Sequence, residues 1–289
     1  MRAFDPEVVD AVWSAIEPLI PVRVDDHPKG GHRPRISDRV CFRGILIRLV
    51  TGCSWVDAEA LLERTVSDTT LRNRRDEWIT AGVFDSLASE AIGAYDRIIS
   101  LDLSEVALDG SQHKAPCGGA GTGPNHTDRG KQGWKLSIIT EHNGIPIGWA
   151  AAGANRHDIA LVEPTLESAA CLGLLDEVET LHLDRGYDAA WVRDLVADYG
   201  IGDLVADRKR PRRAGIKGRV KPKKVSLGQR WPVERTNSWL TNYGQLRRNT
   251  DRHIRHRLAQ IALAVTLLIT AKLIDWRNRW SPNQPINPR

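Results

Sequence analysis

The sequence predicts an all-helical domain over residues 1–97, followed over residues 98–289 by a mixed five-stranded sheet with flanking helices, an α+β to α/β arrangement. Three observations predict it. Apolar residues keep helical spacing between capping residues up to about residue 97. Short apolar runs of strand length then follow one another closely, two of them joined through Asn143-Gly144. Beyond them helical and strand patterns alternate.

The helices are taken in order. Asp5-Pro6 opens the first with a cap and a proline at its first position, and Val8, Val9, Val12, Ile16 and Leu19 keep helical spacing up to Pro18 and Pro21. A loop rich in glycine and proline follows. Ser37 caps a second helix that buries Val40, Ile45, Leu46 and Leu49 and stops at Gly52; Ser54 caps a third with Trp55, Leu61 and Leu62. A fourth starts at Ser67, with Leu71 and Trp78 seven apart on one face and Arg72, Arg74 and Arg75 set away from them. Short helices joined by tight turns, the last displaying arginines, suit either a helix-turn-helix or a plain bundle with solvated arginines.

The sheet begins with Glu105–Ser111, E-V-A-L-D-G-S, read as a buried strand that delivers Asp109 to its exposed C-terminal end. Cys117 to Asn125 reads as a mobile glycine-rich loop. Trp134 to Thr140 and Ile145 to Ala151 form a hairpin through Asn143-Gly144. Asp158 caps a helix with Leu161, Leu166 and Leu172, which leads back to a strand ending at Asp184; a helix from Asp188 then leads to a strand over Asp203 to Ala206. Three antiparallel strands followed by alternating helices and strands is the ribonuclease-H-like order. In that order the first and fourth strands are parallel neighbours, which brings Asp109 beside Asp184. Glu234 follows on a later helix, and the chain closes with an amphipathic helix over His253 to Trp280, read as core.

Composition sets limits on function. A chain of 289 residues with 41% hydrophobic content is long enough for two cores and is not a disordered polymer. Met1-Arg2-Ala3 runs directly into Asp5, Glu7 and Asp10, so no secretory signal is expected and the cytoplasm is the expected location. Cys41, Cys53, Cys117 and Cys171 are scattered without a C-x-x-C pair, which fits reduced, mostly buried thiols and argues against a zinc module. The longest apolar run, Leu258 to Ala271, is short of a membrane span. Net charge is +5, yet Arg208 to Lys224 alone holds ten lysines and arginines and no acid, so the remainder is net negative. Such a run is either a solvated loop or a phosphate-backbone contact, with Arg210, Arg212, Arg213 and Lys217 the candidates for the second reading.

Two strand-end aspartates and one helical glutamate make the acidic, all-oxygen set that hard cations such as Mg²⁺ require. The stretches that carry them are L-D-G-S at Asp109, D-R-G-K-Q-G-W-K at Asp128 to Lys135, H-L-D-R-G-Y-D at Asp184 and R-W-P-V-E-R-T-N-S-W-L at Glu234. In order and spacing they resemble the DDE transposases of bacterial insertion sequences, over most of the chain. The most specific part is Arg230 followed after three residues by Glu234. Two positions depart from the family pattern: Leu227 stands where a tyrosine is common, and Thr241 where a lysine is common.

The resemblance implies Asp109, Asp184 and Glu234 as catalytic metal ligands for two Mg²⁺ ions, with Mn²⁺ able to substitute. It implies a DNA partner, the inverted repeats at the element's ends and the target duplex, cut and then joined by a homodimer assembled on DNA. Arg230, one helical turn before Glu234, is placed for a phosphate or for orienting the carboxylate. Lys131 and Lys135 on the hairpin, and Arg72, Arg74 and Arg75 on the fourth helix, are further candidate DNA contacts, and His157 a supporting residue. The resemblance also tips the N-terminal helices toward the helix-turn-helix reading. Two alternatives stay open: a DNA-binding protein without catalysis, and a nuclease that cuts without joining.

Overall fold

The computed structural model describes residues 3–22, 35–206 and 230–280. The Arg208 to Lys224 run, with Arg210, Arg212, Arg213 and Lys217, lies outside the described residues.

Capping chemistry sets the helix boundaries. Asp5 Oδ1 accepts from the Glu7 amide to open α1 (Pro6–Ile16). Ser37 stands at the N-cap of α2 (Asp38–Thr51) without a side-chain cap bond, and Gly52 ends that helix in the left-handed region, φ 77°. Ser54 and Asp57 form a reciprocal capping box on α3 (Trp55–Leu61), and the Ser67 hydroxyl accepts from the Thr70 amide on α4 (Asp68–Thr80). A fifth helix, α5 (Val83–Ile99), completes the N-terminal set.

Among the described residues the sheet has six strands where the sequence suggested five. They are β1 (Glu105–Lys114), β2 (Gly123–Asn125), β3 (Lys131–Thr140), β4 (Pro146–Gly153), β5 (Thr180–His182) and β6 (Asp203–Val205). β1 lies between β3 and β5, β6 follows β5, and β2 and β4 both pair with β3. Setting the short β2 aside, the spatial order is third, second, first, fourth, fifth, which is the ribonuclease-H-like order. β1 and β5 are parallel, with Glu105 opposite Thr180 and Ala107 opposite His182. Helices α6 (Val162–Ala170) and α7 (Ala190–Asp198) connect the later strands, followed by α8 (Trp231–Leu240), α9 (Gly244–Arg247) and α10 (Ile254–Trp280).

The extra strand comes from the stretch read as a mobile glycine-rich loop. Gly123 and Asn125 pair with Gly133 and Lys131, and Arg257 donates to the carbonyls of Ala120 and Asp251. A Cβ on Gly119 (φ 107°) would stand 2.2 Å from the Arg252 carbonyl oxygen, so the glycine there permits backbone to press on backbone.

The described residues cluster into two compact units that do not follow the chain in two consecutive stretches. One is drawn from Met1–Ser100, His113–Trp134 and Trp239–Arg289, as far as these are described; the other from Leu101–Gln112 and Lys135–Ser238. In the first, α10 packs on α5 and α1. By length and composition α10 could cross a bilayer, yet 61% of its most apolar window is buried in protein, as expected of a core helix. Residues 259–269 are buried on every side, and His256 and Arg257 in the first turn are buried too, so the apolar stripe understated its burial.

At the centre of this unit lies a charge. Asp251 accepts from Arg48 and Arg75, each at 3.2 Å, and from Gln260 at 2.7 Å, and both guanidiniums stack on the Trp55 ring. In the second unit Val106, Leu108, Ile139, Ile147, Val162, Leu166, Leu181 and Val192 make one apolar cluster. All four cysteines are free, but Cys117 and Cys171 are exposed, against the expectation of mostly buried thiols.

Candidate active site

The site lies in the second unit. Alternation along β1 sends Val106 and Leu108 into the apolar cluster and places Asp109 on the opposite face. The strand does not stop at Asp109 as the sequence suggested; it continues to Lys114. What ends there is the neighbour: β5 pairs with β1 as far as Ala107 opposite His182, so Asp109 lies just past the parallel ladder. Asp184 lies two residues beyond the end of β5, at the N-cap of a 3₁₀ turn, where its Oδ1 accepts from the Arg185 amide at 2.6 Å. Glu234 stands in the first turn of α8.

Two bonds seat α8. Thr236 Oγ1 donates to the Gly144 carbonyl and Arg235 Nη2 to the Asn143 carbonyl, both at 2.6 Å. The turn between β3 and β4 thereby fixes the helix that carries Glu234.

Arg230 joins the three acids. Its Nη2 lies 2.7 Å from Glu234 Oε1 and 3.8 Å from Asp109 Oδ2, and its Nη1 lies 3.2 Å from Asp184 Oδ1. Arg230 Nε is buried and without a hydrogen-bond partner among the described residues. Burial pushes the Asp109 carboxyl above its ordinary range, more than the Gly110 amide and Arg230 pull it down, with Glu234 and Asp184 raising it further. The Tyr187 phenol is also pushed up, first by burial and then by the charges of Asp109, Asp158 and Asp184.

An ion pair stands beside these groups. Lys135, 5% exposed, lies 2.8 Å from Asp158 Oδ1. A Cβ on Gly110 would meet that same Oδ1 at 2.9 Å and the Tyr187 hydroxyl at 3.4 Å, so the glycine after Asp109 makes room for both groups.

Among the described residues no three His, Cys, Asp or Glu side chains stand together as a ready-made metal cluster. The donor chemistry of the acids still fits a hard divalent cation: three carboxylates converge on one guanidinium, and Mg²⁺ needs one or two carboxylates and keeps several waters.

The other residues singled out in the sequence divide. Arg72 is exposed and pairs with Asp68, and Lys131 is exposed with Asp128 at 3.9 Å. Arg74 and Arg75 are buried, against the expectation that they face outward: Arg74 pairs with Asp38 and also donates to the Ile36 carbonyl, while Arg75 pairs with Asp251 and Asp76. Lys135 is likewise inside and committed to Asp158. His157 is exposed, at the N-cap of the 3₁₀ turn Asp158–Leu161 and without a side-chain cap bond. Sequence reasoning missed Thr236, Arg235 and Tyr187 as residues that shape the site. The turn signal at Asn143-Gly144 was visible, but not that α8 docks on it.

A mixed sheet in ribonuclease-H-like order, with Asp109 and Asp184 beside adjacent parallel strands and Glu234 on a later helix, defines the fold class. The chain belongs to the DDE transposase family: the family described as "Transposase DDE domain" matches residues 96–269, and "Putative transposase of IS4/5 family" matches residues 8–88. It is 34% identical over 136 residues to the "Putative transposase for insertion sequence element IS402" of Burkholderia cepacia, covering 45% of this chain and 60% of that one. It is also 34% identical over 110 residues to the "Insertion element IS402 uncharacterized 16.2 kDa protein" of the same organism, covering 38% of this chain and 74% of that one. The chain thus spans less than two thirds of the first relative's length. Among solved structures, the pre-cleavage Mos1 transpososome aligns over 89% of this chain and 81% of that chain, at 12% identity and a TM-score of 0.33.

Proposed function

We propose that the chain is a DNA transposase that binds the ends of an insertion sequence, cuts a strand there and joins it to target DNA at the Asp109, Asp184 and Glu234 site. The observation that carries this reading is the convergence of those three acids on Arg230, on a sheet of this order.

Asp109, Asp184 and Glu234 would hold Mg²⁺, two ions in the full site, with Mn²⁺ able to substitute. When bound, such ions activate the attacking oxygen and stabilise the leaving one in an in-line displacement. The protein's own groups do the rest. The Gly110 and Arg185 amides each hold one oxygen of Asp109 and Asp184; the second oxygen of Asp109 faces Arg230, and that of Asp184 is left to face a ligand. The bonds from Thr236 and Arg235 fix the angle at which α8 presents Glu234. Arg230 offers a planar fork that matches phosphate geometry. Arg72, Lys131 and the 208–224 run would hold the DNA backbone by charge, contributing affinity rather than sequence discrimination. Buried and internally paired, Arg74, Arg75 and Lys135 take structural roles in this reading. A homodimer assembled on DNA, acting in the cytoplasm, completes it.

The test is purified protein with labelled element ends, target duplex and Mg²⁺. Cleavage with joined product, lost in Asp109→Asn, is the expected result. Cleavage without joining points to a nuclease, and DNA binding without cleavage to a non-catalytic protein.

A further inference from the structure

Three carboxylates and one guanidinium leave the site with excess negative charge, and the guanidinium occupies the ground between the acids. Arg230 is the one cation in ion-pair contact with Asp109, Asp184 and Glu234 among the described residues. Its Nη2 serves two acids and its Nη1 the third. A divalent ion coordinated by these carboxylates competes with the guanidinium for Asp109 Oδ2 and Glu234 Oε1 and is repelled by its positive charge. The guanidinium cannot lose its proton to make way, because arginine stays charged in proteins. On leaving the acids it passes to water or to another anion. A DNA phosphate, matched to its fork, is such an anion.

We propose that Arg230 is the resident counter-ion of the metal-free site: metal ions enter as its guanidinium leaves, a DNA phosphate receives it, and DNA and metal loading are positively coupled through this side chain. The proposal rests on the reading of the three acids as metal ligands. Arg230 is here a positioning residue that acts through the carboxylates. Before DNA arrives it keeps three like charges together without a metal; once DNA arrives it yields them. Thermodynamic reciprocity follows: whatever factor DNA adds to metal affinity, metal adds to DNA affinity.

The experiment is a Mn²⁺ titration read by electron paramagnetic resonance of the free ion, with and without a short duplex of arbitrary sequence. The proteins are the parent chain, Arg230→Gln, Arg230→Lys and Asp109→Asn, each checked for fold by circular dichroism. Should the Gln variant fail to fold, Arg230→Met, which keeps the apolar stem, replaces it. Without DNA, Arg230→Gln should bind Mn²⁺ about tenfold more tightly than the parent or better, since removing a unit charge a few ångströms from a divalent ion relieves at least that much repulsion. Arg230→Lys, which keeps the charge, should stay near the parent. Beyond the Mn²⁺ bound by the duplex alone, duplex should tighten Mn²⁺ binding by the parent and much less by Arg230→Gln. Equal or weaker binding by Arg230→Gln, or a parent indifferent to duplex, overturns the proposal and leaves the metal-ligand reading standing, provided that Asp109→Asn lowers Mn²⁺ affinity. Mn²⁺ binding that ignores Asp109→Asn overturns both.

Discussion

Thr236 Oγ1 donates to the Gly144 carbonyl at 2.6 Å, and through this bond the helix carrying Glu234 is fixed to the turn of the β3–β4 hairpin. Both partners are specified. Thr236 is fully buried, and Gly144, at φ 81°, has a conformation in which a Cβ would be strained and would stand 3.0 Å from that hydroxyl. Thr236→Val keeps the shape and removes the donor, so the Gly144 carbonyl loses this partner. The expected loss is about 1–3 kcal/mol in urea unfolding. Strand cleavage, measured well below the unfolding midpoint of either protein, should fall further than the surviving folded fraction explains, because Glu234 is two residues away. Cleavage that merely tracks the folded fraction would show that the bond supports the fold and not the placement of Glu234.

Asp109 gives a prediction with a definite sign. Burial holds its carboxyl above the ordinary carboxylate range, so the folded state grips the proton more tightly than the unfolded chain. The stability that the proton confers is complete below the ordinary carboxylate value of about 4 and is lost as pH rises through the raised one. At neutral pH the ionised group therefore costs stability. With chelator present, Asp109→Asn should melt higher than the parent at pH 7, and the gap should close as pH is lowered toward 4. The same variant should be inactive in strand cleavage. A gap that widens on acidification, or an Asn variant that melts lower at neutral pH, refutes this account.

Arg75 and Arg72 sit three residues apart on α4 and should behave in opposite ways. Asp251 holds Arg75 and Arg48 in the interior, and all three are buried. Asp251→Ala leaves buried Arg48 without its acid and should cost about 3–5 kcal/mol in denaturant unfolding; Arg75→Ala, which leaves Asp251 paired with Arg48, should cost about 1–3 kcal/mol. Arg72, half exposed and paired with Asp68 on the same helix, should cost about 0.5 kcal/mol or less as Arg72→Ala. Equal and small effects at both arginines would mean that α4 is not anchored through Asp251.

The burial of Arg74 and Arg75 shows where the sequence was legible and where it was misread. Leu71, Arg74, Arg75 and Trp78 have the three and four spacing of a single helical face, and all four are buried. The pattern was in the sequence; the charges made it read as a solvated face. What makes burial tolerable is a set of acids distant in the chain: Asp38, 36 residues before Arg74, and Asp251, 176 residues after Arg75. No local pattern announces such partners. The same limit applies to α8, whose seat on Asn143 and Gly144 is 92 residues away. By contrast, the parallel pairing of β1 with β5 could be read in advance. It follows from element order, and so did the expectation that Asp109 and Asp184 come together. Where β1 ends was not legible, because Asp109-Gly110 is a turn signal that the neighbouring β3 overrides.

Gly110 tests whether the space beside Asp109 matters as much as the carboxylate. An alanine Cβ there would stand 2.9 Å from Asp158 Oδ1, closer than van der Waals contact allows, and 3.4 Å from the Tyr187 hydroxyl. Asp158 is the group that can move, since its side chain is 44% exposed; the Lys135 ammonium that it pairs with at 2.8 Å is almost wholly buried. Gly110→Ala should therefore displace Asp158, strain the pair and lower stability by about 1–3 kcal/mol. Because Asp109 is the adjacent residue, cleavage should drop by tenfold or more at temperatures where the protein stays folded, about what a small misplacement of a reacting group costs or less. The cause can be isolated by a double-mutant cycle. Asp158→Ala removes the atom in the way, so the double variant should cost less than the sum of the single ones, by about 0.5 kcal/mol or more. Strictly additive costs would place the strain elsewhere, against Tyr187 or in the strand itself, and would remove Asp158 from the explanation.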